Sequence, residues 1–287
     1  MTQRHGIRRD VRRRQCIHIL LVVLAFGLSA VFAFPLYWLI RGSLVSNKEL
    51  LTRPPVYFPT AFRFENYAKA IARIDFTRQL FNSVSIAVPY VLGTLVTTSF
   101  AGYAFARLRF PLRNMWFAIV ISTMMLPSAV TLLPQYSLYA SLGLANKAAL
   151  IIPAFFCAGG NAYFVFLLRQ FFLTIPMEMD EAARIDGAGY MKIFTRIMLP
   201  LIRPAMIVVG LFSFINCWNE FFYTMIYLKS QDDYTLPLGL YIVNGLKVPN
   251  YEQVLALALI VASPCLVFFF IGNRYFVEGI ALGGIKG

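Results

Sequence analysis

Charged and metal-binding side chains are scarce in this sequence. Only 14% of its 287 residues are charged, 13 are Asp or Glu, and there are two histidines and four cysteines. The cysteines form no C-x-x-C pair and each lies in or beside an apolar run, so we expect them to be buried small hydrophobic residues. His5 and His18 are isolated from each other. We therefore expect no metal site and no catalytic residue in this chain.

A nucleotide-binding loop is also missing. No G-x-x-x-x-G-K-[ST] pattern occurs, and GGIKG at 283–287 lacks both the spacing and the following helix. The chain is thus expected to bind no ATP and no other cofactor. A basic groove with interleaved aromatic residues is absent too, so the net charge of +13 does not indicate a nucleic-acid partner.

Apolar surface, by contrast, is present in excess. Hydrophobic residues make up 59% of the chain and the mean hydropathy is +0.67, which is more than one soluble core needs. A hydrocarbon core of ~30 Å is crossed by ~20 helical residues. About six windows reach that length with at most one charge, so we predict an all-α integral membrane protein with six transmembrane helices, at 17–40, 79–106, 114–134, 148–168, 204–228 and 253–273.

The placement of basic residues predicts the orientation of these helices. Six arginines precede the first span, and further basic residues lie between spans two and three and between spans four and five. Short basic loops stay cytoplasmic, so we expect both termini in the cytoplasm, with 1–16 as a tail before a six-helix domain over 17–287. The 41–78 segment is expected outside despite its seven Lys or Arg residues, because long loops cross largely regardless of charge.

The start of the first span and the prolines in later spans each have two interpretations. The arginine-rich start could be an export signal, but its apolar run exceeds a signal core and no clean cleavage site follows, so we predict an uncleaved helix. Prolines interrupt several spans, and each removes a backbone hydrogen bond. These prolines either bend the helices around a cavity or only produce kinks that help the helices pack. They are Pro35, Pro89, Pro127, Pro153 and Pro264.

A polar segment at 174–203 separates two apolar runs. Pro176 fits a first helical turn, and the acids Glu178, Asp180 and Glu181 follow where negative charge meets the positive end of a helix dipole. This helix should stop near Asp186, because Gly187 and Gly189 permit a sharp turn. A second helix is expected from Tyr190 to Leu199, and Pro200 should end it. This helix should be amphipathic. Its apolar face consists of Tyr190, Ile193, Phe194 and Ile197, and its polar face of Lys192, Thr195 and Arg196.

Such a helical hairpin could rest among lipid headgroups or dock to another protein. The acid-rich first half disfavours the headgroups, since the inner leaflet is itself negative. We therefore predict a docking site for a partner protein at this segment.

Polar residues inside a span mark a second candidate site. Glu220 is the only acid at membrane depth, and such groups are costly there unless they face a cavity or a partner. Aromatic rings can stack on a substrate, and amides and carboxylates can hydrogen-bond its polar groups. The alternative is that these groups only pair with neighbouring helices. The candidate substrate path consists of Asn216, Trp218, Asn219, Glu220 and Tyr223, with Asn161 on the fourth span.

Several segments, in order, resemble the MalG-like permeases of carbohydrate ATP-binding-cassette (ABC) importers. The E-A-A run at 181–183 with Gly187 is similar to the EAA loop of that class, and the likeness covers most of the chain. The other similar segments are SNKELLTRPPVYFP and FENYAKAI within 46–71, FNSVSIA (81–87), AGYAFARLRFP (101–111), MLPSAVTLLPQYSLYASLGLANK (125–147), FVFLLRQFF (164–172), CWNEFFYTMIYL (217–228) and YFVEGIALGGIKG (275–287).

The resemblance implies a MetI-like fold in a bacterial cytoplasmic membrane. It implies a heterodimer with a second, homologous permease, two cytoplasmic ATPase subunits that hold ATP and Mg²⁺, and an extracytoplasmic solute-binding protein. The chain itself would be a non-enzymatic subunit, and its tail at 283–287 would reach the ATPases or simply fray. The residues implied to couple to the ATPases are Glu181, Ala182, Ala183, Asp186, Gly187, Ile197, Leu199 and Pro200.

Other functions remain open from the residues alone. A glycerol-3-phosphate permease is a close relative of the sugar type. A self-contained ion-driven transporter would use membrane carboxylates, but there is a single one and no inverted repeat. A membrane-embedded enzyme would need paired carboxylates or metal-spaced His and Cys, which the sequence lacks.

Overall fold

The computed structural model describes the backbone of residues 3–157, 161–245 and 250–284, and the side chains of 17–157, 161–245 and 250–272. Over these residues the regular structure is entirely helical. The tail positions 285–287, part of the proposed ATPase contact, lie outside the described residues. The α-helices are α1 (Gln3–Ser43), α2 (Asn47–Leu50), α3 (Glu65–Ile71), α4 (Phe76–Arg107), α5 (Arg113–Ser122), α6 (Ser128–Ser141), α7 (Lys147–Ile151), α8 (Ala162–Thr174), α9 (Glu178–Ile185), α10 (Tyr190–Ile193), α11 (Leu199–Leu201), α12 (Arg203–Trp218), α13 (Phe222–Tyr227), α14 (Leu236–Asn244) and α15 (Tyr251–Gly284).

Three of the expected spans are single long helices. Ile17–Ser43, Phe76–Arg107 and Tyr251–Gly272 are each long and apolar enough to cross a membrane. Three further candidates are pairs of helices that meet at a sharp bend, namely Arg113–Met125 with Ser128–Ser141 (102°), Ala162–Thr174 with Glu178–Ile185 (75°) and Tyr190–Leu201 with Arg203–Trp218 (79°). If each bent pair is counted as one span, the described residues contain six candidate membrane spans by length and composition.

The remaining predicted windows are therefore not continuous helices. The 114–134 window breaks before Pro127, where Leu126 is extended because a residue before proline is pushed out of the helical region. The 204–228 window breaks after Trp218. The 148–168 window contains the 3-10 helix Ile152–Phe156 before α8 begins.

One compact unit comprises residues 1–73 and 244–260. Within it, the end of α1 is tied to the segment that follows. Arg41, which is 2% exposed, forms an ion pair of 3.0 Å with Glu49. The Asn66 side-chain amide donates to the carbonyl oxygens of Ser43 and Val45, both at 2.9 Å. These contacts give the 41–73 part of the chain a fixed conformation of its own.

The second unit comprises residues 74–243 and 261–287, and α4 packs there against α8 and α12. Gly102 lies at the closest approach of α4 to α8. A β-carbon placed on Gly102 would lie 3.0 Å from Leu168 Cβ and 3.1 Å from the Arg169 backbone nitrogen. Small residues allow such close helix contact, which dispersion forces then stabilise.

Replacing Gly102 by Val is expected to destabilise the chain, although a glycine inside a helix is itself unfavourable. The added methyl groups would force α4 and α8 apart, at a cost of about 1–3 kcal/mol. The apparent melting temperature of the detergent-purified protein measures this cost. Ala101→Val adds bulk to the neighbouring position and is the matched control. Equal melting temperatures of the two variants would contradict the close packing at Gly102.

Candidate functional site

The polar segment folds into the predicted helical hairpin. Helix α9 carries Glu178, Asp180 and Glu181 in its first turn, where their charge favours the positive end of the helix dipole. It ends at Ile185, and Gly187 follows with φ +77°, a left-handed conformation that glycine adopts without strain. The expected stop near Asp186 is confirmed.

The second arm of the hairpin is longer than predicted. Helix α10 continues through a π-helical turn, Phe194–Met198, into α11, which ends at Leu201. The prediction that Pro200 ends this helix was wrong, because the helix continues through Pro200 to Leu201. Pro200 occupies the first turn of α11, where its missing N–H is not needed, and the wider π turn before it changes the hydrogen-bond register.

The hairpin has an inner and an outer face. On the outer face, Glu181, Ala182, Asp186 and Gly187 are exposed, as are Pro200 and the residues of the predicted polar face, Lys192, Thr195 and Arg196. On the inner face, Ile193 and Phe194 are 0% and 3% exposed. Tyr190, expected on the apolar face, is 56% exposed, and Met198 takes the inner position instead at 0%. The wider π turn at Phe194–Met198 accounts for the inward position of Met198. Tyr190 precedes that turn, and its ring lies under the Arg184 guanidinium instead.

Three of the predicted coupling residues lie wholly or partly inside. Ala183 is 6% exposed, and Ile197 and Leu199 are partly buried. Ala183 is one helical turn from the buried Asp180, so both point to the inner face of α9. Its small side chain therefore permits close packing within the chain, and the outer face is formed by its neighbours.

The inner face packs on α4, α8 and α12 in one apolar cluster. Phe194 lies against Phe100, Tyr103 and Phe172, with ring centroids 4.6, 5.1 and 6.5 Å apart. Aromatic contacts of this kind stabilise packing beyond their buried area. The buried members of the cluster are Tyr103, Ala106, Phe164, Leu168, Phe172, Ala183, Ile193, Phe194, Met198, Ile202, Ala205 and Val209.

A buried ion pair fastens the hairpin to the end of α4. Nη1 of Arg107 lies 3.1 Å from Oδ2 of Asp180, and both side chains are 2% exposed. Nη2 of Arg107 also donates to the carbonyl oxygens of Phe172, at 2.5 Å, and of Ile175. Neither carboxylate oxygen of Asp180 accepts a hydrogen bond within the described residues, so Arg107 is the charge that compensates Asp180.

Sequence reasoning missed this pair. From the sequence, Arg107 is only one of the basic residues between spans two and three, and Asp180 is only one of the acids in the first turn of a predicted helix. The available signal was the spacing of Asp180 and Ala183, which places both on the face that Ile193 and Phe194 share. No local pattern assigns Arg107 to Asp180, because the two lie on different helices far apart in sequence.

A second contact closes the turn of the hairpin. The guanidinium carbon of Arg184 lies 4.9 Å from the ring centroid of Tyr190, across the turn that contains Gly187. A cation over an aromatic face is attracted to it, weakly at exposed sites. The outer face is thus held in one conformation by groups at both of its ends.

The candidate substrate path separates into inward and open positions. Trp218 is 4% exposed, its indole N–H donates to the Val261 carbonyl at 2.9 Å, and its ring stacks on Phe214 at 5.3 Å. Asn161 is 1% exposed and donates from Nδ2 to Thr94 Oγ1 at 3.2 Å. In this conformation both residues hold helices together and present no free face to a ligand.

The open positions cluster where α12 breaks. Asn216 and Asn219 are exposed, whereas Glu220 and Tyr223 are half-buried. Oε1 of Glu220 accepts a hydrogen bond of 2.9 Å from the Tyr223 N–H, which caps α13 in the way acidic side chains cap helices. Nδ2 of Asn219 donates to Sγ of Cys265 at 3.8 Å. Glu220 therefore keeps acceptor capacity for another ligand.

A metal centre has no support in the part of the chain that the structure describes. No group of three or more His, Cys, Asp or Glu side chains is arranged there to hold an ion.

Comparison with known proteins identifies the family of the chain and its fold. Residues 94–277 match the model of the family described as "Binding-protein-dependent transport system inner membrane component". The arabinooligosaccharides transport system permease protein AraQ of Halalkalibacterium halodurans is 33% identical over 272 residues, covering 93% of this chain and 96% of that protein. The galactooligosaccharides transport system permease protein GanQ of Bacillus subtilis is 30% identical over 284 residues, covering 97% and 99%.

A solved structure has the same fold. It is a chain of a bacterial ABC transporter involved in the import of the acidic polysaccharide alginate, and it matches with a TM-score of 0.79 at 23% identity, covering 92% of this chain and 98% of that one. At this identity the likeness shows the fold, and it confirms the expected MetI-like architecture.

Replacing Arg107 by Met is expected to destabilise the protein by about 3–5 kcal/mol, because Asp180 would remain buried without a compensating charge. Arg107→Met combined with Asp180→Leu removes both charges and is expected to recover most of this loss. The apparent melting temperature and the rate of tryptic cleavage at Arg184 and Lys192 measure both effects.

Glu178→Gln, an exposed acid on the same helix, is the control and is expected to change stability by less than about 0.5 kcal/mol. A double variant as unstable as the single Arg107→Met would contradict a role for charge compensation.

Proposed function

The chain belongs to the family of binding-protein-dependent transport system inner membrane components, and we propose that it is the permease subunit of an ABC importer that moves a sugar or oligosaccharide into the cell. The two-faced hairpin at 174–203 is the observation that carries this proposal. Its inner face is fixed to the membrane helices, and its outer face is polar, rigid and available to another protein.

A saccharide is the cargo that the relatives favour. The two relatives described above are named for oligosaccharides, and a third, the lactose transport system permease protein LacG of Rhizobium radiobacter, is 31% identical over 254 residues, 88% of this chain and 90% of that protein. The candidate path supports a neutral cargo, since 216–227 contains amides, an acid and tyrosines but no Lys or Arg. This favours a sugar over a glycerol phosphate, which would call for a basic residue.

The proposed topology has six spans with both termini in the cytoplasm. Three long helices, the bent pair Arg113–Met125 with Ser128–Ser141, and the helices α8 and α12 supply the spans, while α9, α10 and α11 form the hairpin outside them. The basic loops supply the orientation. The hairpin then faces the cytoplasm and the 41–78 segment faces outward, toward the solute-binding protein.

The partners in this proposal are a second, homologous permease, two ATPase subunits and the binding protein. ATP and Mg²⁺ would be held by the ATPases, and this chain would do no covalent chemistry. Glu181, Ala182, Asp186 and Gly187 would seat in the ATPase, with the exposed Pro200 at the edge of the same face. Ala183, Ile197 and Leu199 would act indirectly by fixing that face on the core.

The transport mechanism is alternating access. ATP binding would draw the two ATPases together and displace both hairpins. Because Arg107 and the apolar cluster join the hairpin to α4, α8 and α12, these helices would move with it as a packed body. Rearrangement of the broken α12–α13 region would then open the path at Asn219 and Glu220 from one side to the other.

Glu181→Lys and Gly187→Asp are each expected to reduce ATPase co-purification about tenfold, a change of about 1.4 kcal/mol. The first reverses a charge on the outer face, and the second adds a charge and strains a residue at φ +77°. Membrane insertion should be unchanged. The measurements are the amount of ATPase eluting with the tagged chain and ATP-driven sugar uptake in vesicles.

Glu65→Lys reverses an exposed charge on α3, away from the hairpin, and should retain full ATPase co-purification. Unchanged uptake in both hairpin variants would contradict the docking role. Transport by the chain alone, in vesicles without ATP but with an ion gradient, would favour an ion-coupled transporter instead.

Asn219→Ala and Glu220→Gln are expected to raise the KM for saccharide uptake about tenfold, because a lost hydrogen bond costs about 1 kcal/mol or more. The amide oxygen of Gln can still accept the Tyr223 N–H, so the cap of α13 should persist. Gln170→Ala, an exposed amide on α8, is the control. ATPase co-purification should be normal in all three. An unchanged KM in both path variants would place the substrate elsewhere.

A further inference from the structure

Two arginines lie side by side where α5 and α8 meet the end of α4. The guanidinium carbon of Arg169 lies 4.2 Å from the ring centroid of Phe117, and its Nε donates to the Phe105 carbonyl at 3.4 Å. Arg113 precedes Phe117 by one helical turn on α5 and donates from Nη1 to the Leu108 carbonyl at 3.2 Å. The two side chains are thus fixed on the same patch by backbone and ring contacts.

Neither arginine has an anionic partner. No carboxylate of the described residues lies within 4.0 Å of Arg113 or Arg169. Arg169 contacts Phe117, one helical turn from Arg113 on the same helix, and both arginine side chains are half-buried. Like charges gathered at a partly buried surface repel each other unless a counter-charge binds there. The arrangement therefore favours the binding of an anion.

A cleft beside these arginines has room for such an anion. Its volume is about 560 Å³, and its lining includes Arg113 and the exposed Arg109. Its lining also includes Leu112 and Met115, which are 64% and 45% exposed. Trp116, the next residue in the chain, is 50% exposed. Tryptophan at such a position is typical of the membrane interface, and the cleft lies at the end of the membrane-spanning helix α4.

We propose that Arg109 and Arg113 bind the phosphate-bearing headgroup of an anionic phospholipid in this cleft, and that Arg169, held on Phe117 of α5, adds a third positive charge beside it. The chemistry is that of a phosphate accepting hydrogen bonds from guanidinium groups, which present several donors in a fixed fork. A lipid is favoured over free phosphate because its acyl chains would cover the exposed Leu112, Met115 and Trp116. The proposal rests on the topology proposed above, which places this end of α4 at the negative cytoplasmic leaflet.

The test is retention of phosphatidylglycerol by the full-length chain, purified with whatever subunits accompany it. The protein is placed in nanodiscs with a rising fraction of phosphatidylglycerol in phosphatidylcholine, released, and scored by native mass spectrometry for bound lipid. The double substitution Arg113→Gln and Arg169→Gln should weaken lipid retention about 30-fold, because each basic residue near the membrane surface contributes a factor of about five. Arg113→Lys with Arg169→Lys should keep most of it, because the charge remains.

The control is Arg53→Gln with Arg73→Gln, an equal charge change at exposed positions of the 41–78 segment, which should leave retention unchanged. Millimolar inorganic phosphate should not displace the lipid. Equal retention by the double Gln variant, equal loss in the control, or displacement by free phosphate would each overturn the proposal. If the double variant aggregates on size exclusion, Arg113→Gln alone should show about a fivefold loss. Because the experiment measures bound lipid and not sugar uptake, it still tests lipid binding if the proposed transport function is wrong.

Discussion

The ion pair between Arg107 and Asp180 is the constraint on which the rest of the site depends. Two full charges inside an apolar cluster are costly, and the pair is tolerated because each charge compensates the other. Arg107 also donates to the backbone at the end of α8. One side chain therefore joins α4, α8 and α9 at a single point, and the position of the hairpin follows from the position of α4.

This constraint explains why so apolar a chain keeps a polar segment. The hairpin is apolar and tightly packed inside, through Ile193, Phe194 and Met198, and polar outside, through Glu181 and Asp186. A loop without the inner face would bend when a partner pushed on it, whereas a packed body moves as a unit. Arg113 and Arg169 present a similar case at the proposed membrane surface. There a lipid headgroup, in place of a carboxylate of the chain, would compensate the positive charge.

The broken helices have a related physical basis. A bend exposes backbone groups, which the chain satisfies locally, as where Glu220 caps α13. Trp218 and Asn161 show the other use of polar atoms at membrane depth, since their hydrogen bonds tie neighbouring segments together. Polar residues in a span thus tie segments together at Trp218 and Asn161, and in the proposed function Asn219 and Glu220 line the substrate path.

The sequence alone determined what depends on local composition. Apolar windows, basic loops, the stop at Gly187 and the family resemblance are all local or linear, because helix length, charge bias and glycine conformation act over a few residues. The tertiary structure decided which groups meet. It paired Arg107 with Asp180, turned Ala183 and Trp218 inward, and carried the helix past Pro200 through the π turn at Phe194–Met198. These outcomes depend on distances between helices far apart in the chain, which no local periodicity encodes.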